Sequence, residues 1–153
     1  MKGKSLYKDS TVRFKVREYQ PDDFAEISKL WSDSGLGGPV RGDNEKTIDL
    51  TLKAGGKLFV LYNRMNDEII GTSWLTHDHR RIYMHHFLIK PAYQGKGYSE
   101  MLMLKSKEYA RLSGMQFKLE VHRDNYKAIN LYKKWGFKYL GDYDVYIIRD
   151  YII

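Results

Sequence analysis

Cysteine is absent from the 153 residues. That excludes disulfides, thiolate nucleophiles and cysteine-based zinc sites, and it suits a cytoplasmic protein. Proline is scarce, with 3 in the chain. No Pro/Ser-rich linker, internal repeat or low-complexity segment interrupts it, so residues 1–153 read as one domain with one core. No apolar run is long enough to span a membrane. Met1 to Lys8 carries lysines without an apolar stretch behind them, so a secretory signal is not expected. Acidic side chains are outnumbered, 19 against 26 Lys and Arg, which leaves a formal net charge of +7. A surface of that sign attracts nucleic acid, acidic lipid or phosphate-rich small molecules, or simply stays solvated. The basic residues are scattered and form no block. A recognition helix with clustered Arg or Lys and an RNP-like aromatic strand are both missing, so neither nucleic acid nor membrane is an expected partner.

What is present is an ordinary globular balance, 42% hydrophobic and 29% charged. Val12 to Tyr19 alternates Val12, Phe14 and Val16 with Arg13, Lys15 and Arg17, the pattern of a half-buried strand. Pro21, Asp22 and Asp23 open a helix carrying Phe24, Ile27, Leu30 and Trp31 at helical spacing. Ser34 to Asp43 holds four glycines and a proline and reads as a loop. A helix over Asn44 to Ala54 is followed by a strand over Lys57 to Tyr62, a turn, a strand over Glu68 to Thr76, and a long strand over Arg81 to Lys90. Gly95 to Ser113 is helical, with Met101, Leu102, Leu104, Lys105, Tyr109 and Leu112 at helical spacing and Gly114 as cap. A strand over Phe117 to Val121, a helix over Asn125 to Trp135, and strands over Phe137 to Leu140 and Tyr143 to Asp150 complete the order. The expectation is an α/β, α+β mixed sheet of about seven strands with four helices on its faces.

The most informative stretch joins the long strand to the long helix: Pro91-Ala92-Tyr93-Gln94-Gly95-Lys96-Gly97-Tyr98-Ser99. Such a turn aims several backbone N–H groups at one concave spot, where the helix N-terminus favours negative charge. Lys96 adds a cation, so a pyrophosphate suits it. A dinucleotide-binding fold would need a third glycine and an early βαβ position, and a Walker loop would need Gly-Lys-Ser/Thr; neither is present. Taken alone, the turn also fits a simple strand-to-helix bend.

Gln94, Gly97 and Ser99 resemble the Q/R-x-x-G-x-G/A motif of the GNAT N-acetyltransferase family, with Ser99 departing from the usual Gly or Ala. Asn125, Ala128, Leu131-Tyr132 and Gly136-Phe137 resemble the N-x-x-A-x-x-L-Y-x-x-x-G-F segment of the same family. The two motifs span Ile82 to Leu140, in the family's order and with a strand between them.

The resemblance implies the GNAT acyl-CoA N-acyltransferase fold with splayed central parallel strands. It implies an enzyme that transfers acetyl from acetyl-CoA to a primary amine of a small molecule or peptide by direct attack, with no metal. It further implies that the backbone of Phe87, Leu88 and Ile89 pairs with pantetheine, the Leu88 N–H meeting the thioester oxygen. Gln94, Gly95, Lys96, Gly97, Tyr98 and Ser99 would hold the pyrophosphate, and Asn125 the pantetheine arm or the splayed strand. Tyr132 would protonate the departing thiolate. Many family members pair through their sheets, so a homodimer is a further expectation.

For the base there are two candidates besides ordered water. His85 stands where a related branch carries a glutamate, and Glu120 lies on the neighbouring strand. Strand alternation sets His85 and His86 on opposite faces, so they are not expected to line one site together. His77, His79, His85 and His86 lie close in sequence, but come from a turn and from opposed strand faces, which does not suit a metal. Trp31, Leu36, Val40, Arg41 and Asp43 are candidates to touch the acceptor. Arg41 would suit a carboxylate, and Asp43 or Asp78 a second amine. A non-catalytic acyl-CoA-binding module is the alternative function, encouraged by Ser99 and by the missing glutamate.

Overall fold

The computed structural model describes residues 13–152. Met1 to Lys8, read above for a secretory signal, and Val12, expected to begin the first strand, lie outside them. The chain divides into two compact units, one ending at Glu120 and one beginning at Val121.

The first unit is built on a five-stranded sheet: β1 (Phe14–Glu18), β2 (Lys57–Asn63), β3 (Ile69–His77), β4 (Arg81–Ile89) and β5 (Gln116–Leu119), in that spatial order. β1 to β4 are antiparallel neighbours, and β4 pairs with β5 in parallel. Helices α1 (Phe24–Asp33), α2 (Glu45–Lys53) and α3 (Tyr98–Ser113) are threaded between the strands. Each of the 3 prolines opens a short 3-10 turn, at Pro21–Asp23, Pro39–Arg41 and Pro91–Tyr93, where its fixed φ and missing N–H cost nothing.

β3 is covered on both faces, and its alternation says by what. Thr72 and Trp74 point one way: Trp31 Nε1 of α1 donates to Thr72 Oγ1 at 2.9 Å, and Trp74 Nε1 donates to Thr51 Oγ1 of α2 at 3.0 Å. Ser73 points the other way and is hydrogen-bonded to Ser106 of α3 at 2.8 Å. The core on the α1/α2 side joins Ile27, Trp31 and Ile48 to Leu58, Val60, Ile69 and Trp74.

α3 buries Leu102, Met103, Ser106 and Ala110, while Leu104 and Leu112 are 57% and 71% exposed. This corrects the face expected from its apolar residues. The contacting stripe is built partly on small side chains that let the helix approach the sheet, and hydrophobic spacing gives those no weight.

The second unit contains α4 (Tyr126–Lys134). Asn125 caps it: its Oδ1 accepts from the Ala128 N–H at 3.2 Å. Gly136 follows with φ 93°, and the Phe137 N–H returns to the Tyr132 carbonyl at 3.0 Å. The strands expected over Phe137 to Leu140 and Tyr143 to Asp150 do not form ladders among the described residues, so the sheet has five strands rather than about seven. Tyr139, Tyr143, Val145 and Ile147 are exposed. Their alternation suits a sheet edge, but a strand exists only as a member of a ladder. No helix of the described residues is long and apolar enough to cross a membrane.

Candidate active site

β4 is the axis of the site. Its ladder with β5 runs from Arg81–Gln116 to Met84–Leu119 and stops there, while β4 itself continues to Ile89. β5 itself ends at Leu119, so its ladder covers only the first part of β4. On its other side β4 stays paired with β3, Leu88 opposite Thr72 and Ile89 opposite Gly71.

Beyond Ile89 the chain enters the glycine-rich turn. Gln94 Nε2 donates back to the Ile89 carbonyl at 2.8 Å, so this side chain braces the turn. Glu68 of the β2–β3 turn accepts from Lys90 Nζ at 2.7 Å and from the Tyr93 hydroxyl at 2.8 Å, which ties the start of the turn to the sheet. Those two partners hold the Glu68 carboxyl below its ordinary range. Gly95 and Gly97 have φ of 73° and 82°, and a Cβ added at either would meet nothing within 4 Å. Gly97 is the N-cap of α3, and no side chain caps that end. The result is a helix N-terminus with its positive dipole end facing open space beside Gly97. Lys96 Nζ lies 5.9 Å from the Tyr93 ring centre.

On the α1/α2 side of β4 lies a cavity of about 450 Å³. Its wall takes Thr47 and Thr51 from α2, Trp74 and Thr76 from β3, His85 and His86 from β4, and Gly37, Arg41, Gly42 and Asp43 from the loop between α1 and α2. The two histidines thus share one site, which corrects the expectation that they face opposite sides. The reason is a β-bulge. Thr72 opposes Leu88 and Trp74 opposes His85, so Ser73 faces two residues of β4. His86 takes up the extra residue at φ 45°, a left-handed conformation uncommon outside glycine. Thr72 Oγ1 donates to the His86 carbonyl at 2.7 Å and holds the bulge.

Each histidine is differently engaged. His85 Nε2 shares a hydrogen bond with Thr76 Oγ1 at 2.8 Å, and its ring stacks on Tyr83 with centres 4.3 Å apart. Burial, with His86 beside it, pushes His85 down to about 4, so it is uncharged near neutrality. His86 packs against Trp31 at 4.4 Å, and its Nε2 lies 3.0 Å from Asp43 Oδ1. Asp43 Oδ2 accepts the Gly38 N–H at 2.7 Å, so this carboxylate is committed to His86 and its own loop.

The other expected residues fall as follows. Glu120 lies just past β5, exposed, and is hydrogen-bonded to the Tyr83 hydroxyl rather than placed on the cavity wall. Burial, with Glu120 second, raises the Tyr83 phenol. Arg41 and Asp43 line the cavity. Trp31 is buried behind His86, Leu36 packs on the core and Val40 is fully exposed. Asp78 binds Arg80, with Oδ2 2.8 Å from Nη2. Among the described residues no three His, Asp or Glu side chains gather to hold a metal. Tyr132 and Asn125 belong to the second unit, where the Tyr132 ring meets Phe137 edge-on at 5.8 Å and burial pushes its phenol up to about 12. Thr47, Thr51, Trp74 and Thr76 were not foreseen on the cavity wall. The sequence signal was available for β3: Thr72, Trp74 and Thr76 alternate along a strand otherwise apolar or small, which marks one of its faces as polar.

The profile of the acetyltransferase (GNAT) family matches residues 16–137. The chain belongs to that family. An acetyltransferase from Yersinia pestis (strain Pestoides F) is 27% identical over 124 residues, 80% of this chain and 86% of the relative. A probable acetyltransferase from methicillin-resistant Staphylococcus aureus superposes with a TM-score of 0.72 at 22% identity, over 88% of this chain and 98% of that one. The structure of AAC(6')-Iy in complex with the bisubstrate analogue CoA-S-monomethyl-acetylneamine gives a TM-score of 0.74 at 13% identity, over 90% and 99%. These likenesses establish the GNAT fold and, with the family, an acyl-transferring enzyme.

Proposed function

We propose that this GNAT enzyme is an N-acetyltransferase that moves the acetyl group of acetyl-CoA to a primary amine held in the cavity beside β4. The observation that carries the reading is the end of the β4–β5 ladder at Met84–Leu119, together with a helix N-terminus after β4 that no side chain caps. The residues fit the donor. A pyrophosphate needs N–H groups and room, and Gly95 and Gly97 leave that room. Gln94 to Ser99 would hold it, with Gln94 acting as the brace, and the backbone of Phe87, Leu88 and Ile89 would align pantetheine. The thioester supplies an activated acetyl group, and the Leu88 N–H would accept the charge that builds on its oxygen.

The amine must shed a proton before it attacks, because alkyl amines are protonated near neutrality. In this reading the proton leaves toward the β4 histidines, which line the cavity, whereas Glu120 is engaged with Tyr83. Tyr132 donates to the leaving sulfur. Asn125, whose Oδ1 caps α4, would turn its amide donors to pantetheine. Arg41, on the cavity wall, suits an acceptor that also carries a carboxylate. In this reading the enzyme works in the cytoplasm.

The test is release of free CoA from acetyl-CoA across polyamines, amino acids, aminosugars, aminoglycosides and peptides. Transfer to a subset is expected. Acetyl-CoA binding without release to any amine would replace this reading with a non-catalytic acyl-CoA-binding module. Absence of both binding and release would overturn it.

A further inference from the structure

We propose that His86 and Asp43 form a dyad that removes the proton from the acceptor amine, with His86 as catalytic base and Asp43 as its positioning residue. The proposal deepens the acetyl-transfer reading and rests on it.

The geometry is specific. Asp43 Oδ1 sits 3.0 Å from His86 Nε2, and the side chains are 13% and 14% exposed, so the pair is enclosed yet reaches the cavity. The second carboxylate oxygen is fixed by the Gly38 N–H at 2.7 Å. A carboxylate on one ring nitrogen sets the tautomer and steadies the positive charge that forms when the other nitrogen takes a proton. Nδ1 is that other nitrogen. His86 is also where the bulge bends β4, and its φ of 45° is a conformation a residue with a Cβ adopts only when its surroundings impose it. Thr72, held in turn by Trp31 Nε1, imposes it. Without the bulge the ring would fall on the opposite face of the sheet.

Gly37 adds an independent observation. A Cβ there would lie 1.7 Å from Asp43 Oδ2 and 2.9 Å from His86 Cε1. The loop closes over the dyad so tightly that only glycine fits.

His85 is the weaker base on two counts. Its Nε2 is shared with Thr76, and burial keeps its proton affinity low, at about 4. The groups facing His86 are Asp43 and Arg41 from the loop, His85 from β4, Thr72 and Trp74 from β3, and Trp31 from α1; only the first three carry or take charge.

The protons balance. The ammonium gives one proton to His86 Nδ1. The freed lone pair forms the C–N bond as the C–S bond breaks. A second N–H proton ends on the sulfur, and the first leaves His86 for water.

The test uses the full chain with acetyl-CoA and two kinds of probe. Spermidine, lysine, glucosamine and kanamycin are protonated alkylamines; hydroxylamine is uncharged at neutral pH. In His86→Asn, a substitution that tolerates the left-handed backbone, transfer to the best alkylamine should fall roughly 10²-fold near neutrality and recover as pH rises and the amine sheds its proton to water. Transfer to hydroxylamine should fall far less, and acetyl-CoA affinity by calorimetry should hold. Asp43→Asn, which leaves the bulge intact, should show the same alkylamine-selective loss and the same recovery at high pH, and serves if His86→Asn does not fold. An unchanged pH profile in both variants overturns the dyad and leaves acetyl transfer standing, as does equal loss with both kinds of amine. A wild-type chain that neither binds acetyl-CoA nor transfers to any probe overturns both.

Discussion

The Thr72 hydroxyl donates to the carbonyl of His86 at 2.7 Å while accepting from Trp31 Nε1 at 2.9 Å. One buried threonine thus ties the bulge of β4 to helix α1. Thr72 is fully buried and Trp31 nearly so, with 1% exposed, so valine in place of threonine would leave an indole N–H and a carbonyl without partners. Thr72→Val should cost about 1–3 kcal/mol in urea unfolding and weaken acceptor binding, because His86 loses its anchor. Thr72→Ser, which keeps the hydroxyl, should recover most of both.

Gly97 and Gly114 bracket α3 with φ of 82° and 71°, and a Cβ at either meets open space. Leucine at either position should therefore carry a similar backbone penalty, about 1–2 kcal/mol. Only Gly97→Leu should lose acetyl-CoA affinity, by about tenfold or more, since only there does the side chain enter the space beside the helix N-terminus. Calorimetry on both variants decides it; equal affinities would remove the diphosphate from this turn.

His85 gives the stability curve a defined slope. Folding moves it from the ordinary 6.5 down to about 4, chiefly by burial, with His86 adding to it and Asp43 and Glu120 opposing. Between those pH values the unfolded chain binds more protons, so stability rises with pH across the window and is lost as pH falls through it. The shift corresponds to roughly 3 kcal/mol. Urea midpoints for His85→Gln should be flatter than wild type between about pH 4 and 6.5 and parallel to it above. A slope identical to wild type would mean that His85 is hydrated.

The parts of this site that the sequence displays are those set by local rules. The turn at Gly95 and Gly97 is legible because left-handed backbone at a helix start calls for glycine. The Asn125-to-Phe137 motif is legible because it is a capped helix, its start marked by Asn125 and its stop by Gly136. β2, β3 and β4 follow their hydrophobic runs. The bulge at His86 is not legible: strict alternation assigns it the wrong face, and only the contacts of Thr72 and Trp31, distant in sequence, reverse that. Asp43 hides for the same reason, since its partner lies 43 residues away across a loop. The stripe of α3 was misplaced because Ser106 and Ala110 bury as well as leucine when close approach to the sheet is what packing needs.

Tyr132 supplies the last test. Burial pushes its phenol up to about 12, so it keeps its proton throughout the neutral and mildly alkaline range and stays able to donate. Two consequences separate it from a packing residue. Tyr132→Phe preserves the ring that meets Phe137 at 5.8 Å, so acetyl-CoA affinity should hold while kcat falls by about 10²-fold. The wild-type rate should show no descending limb from this group up to about pH 10, because the proton leaves only above that. A Phe variant with full kcat would return the thiolate's proton to water and leave Tyr132 as a core aromatic.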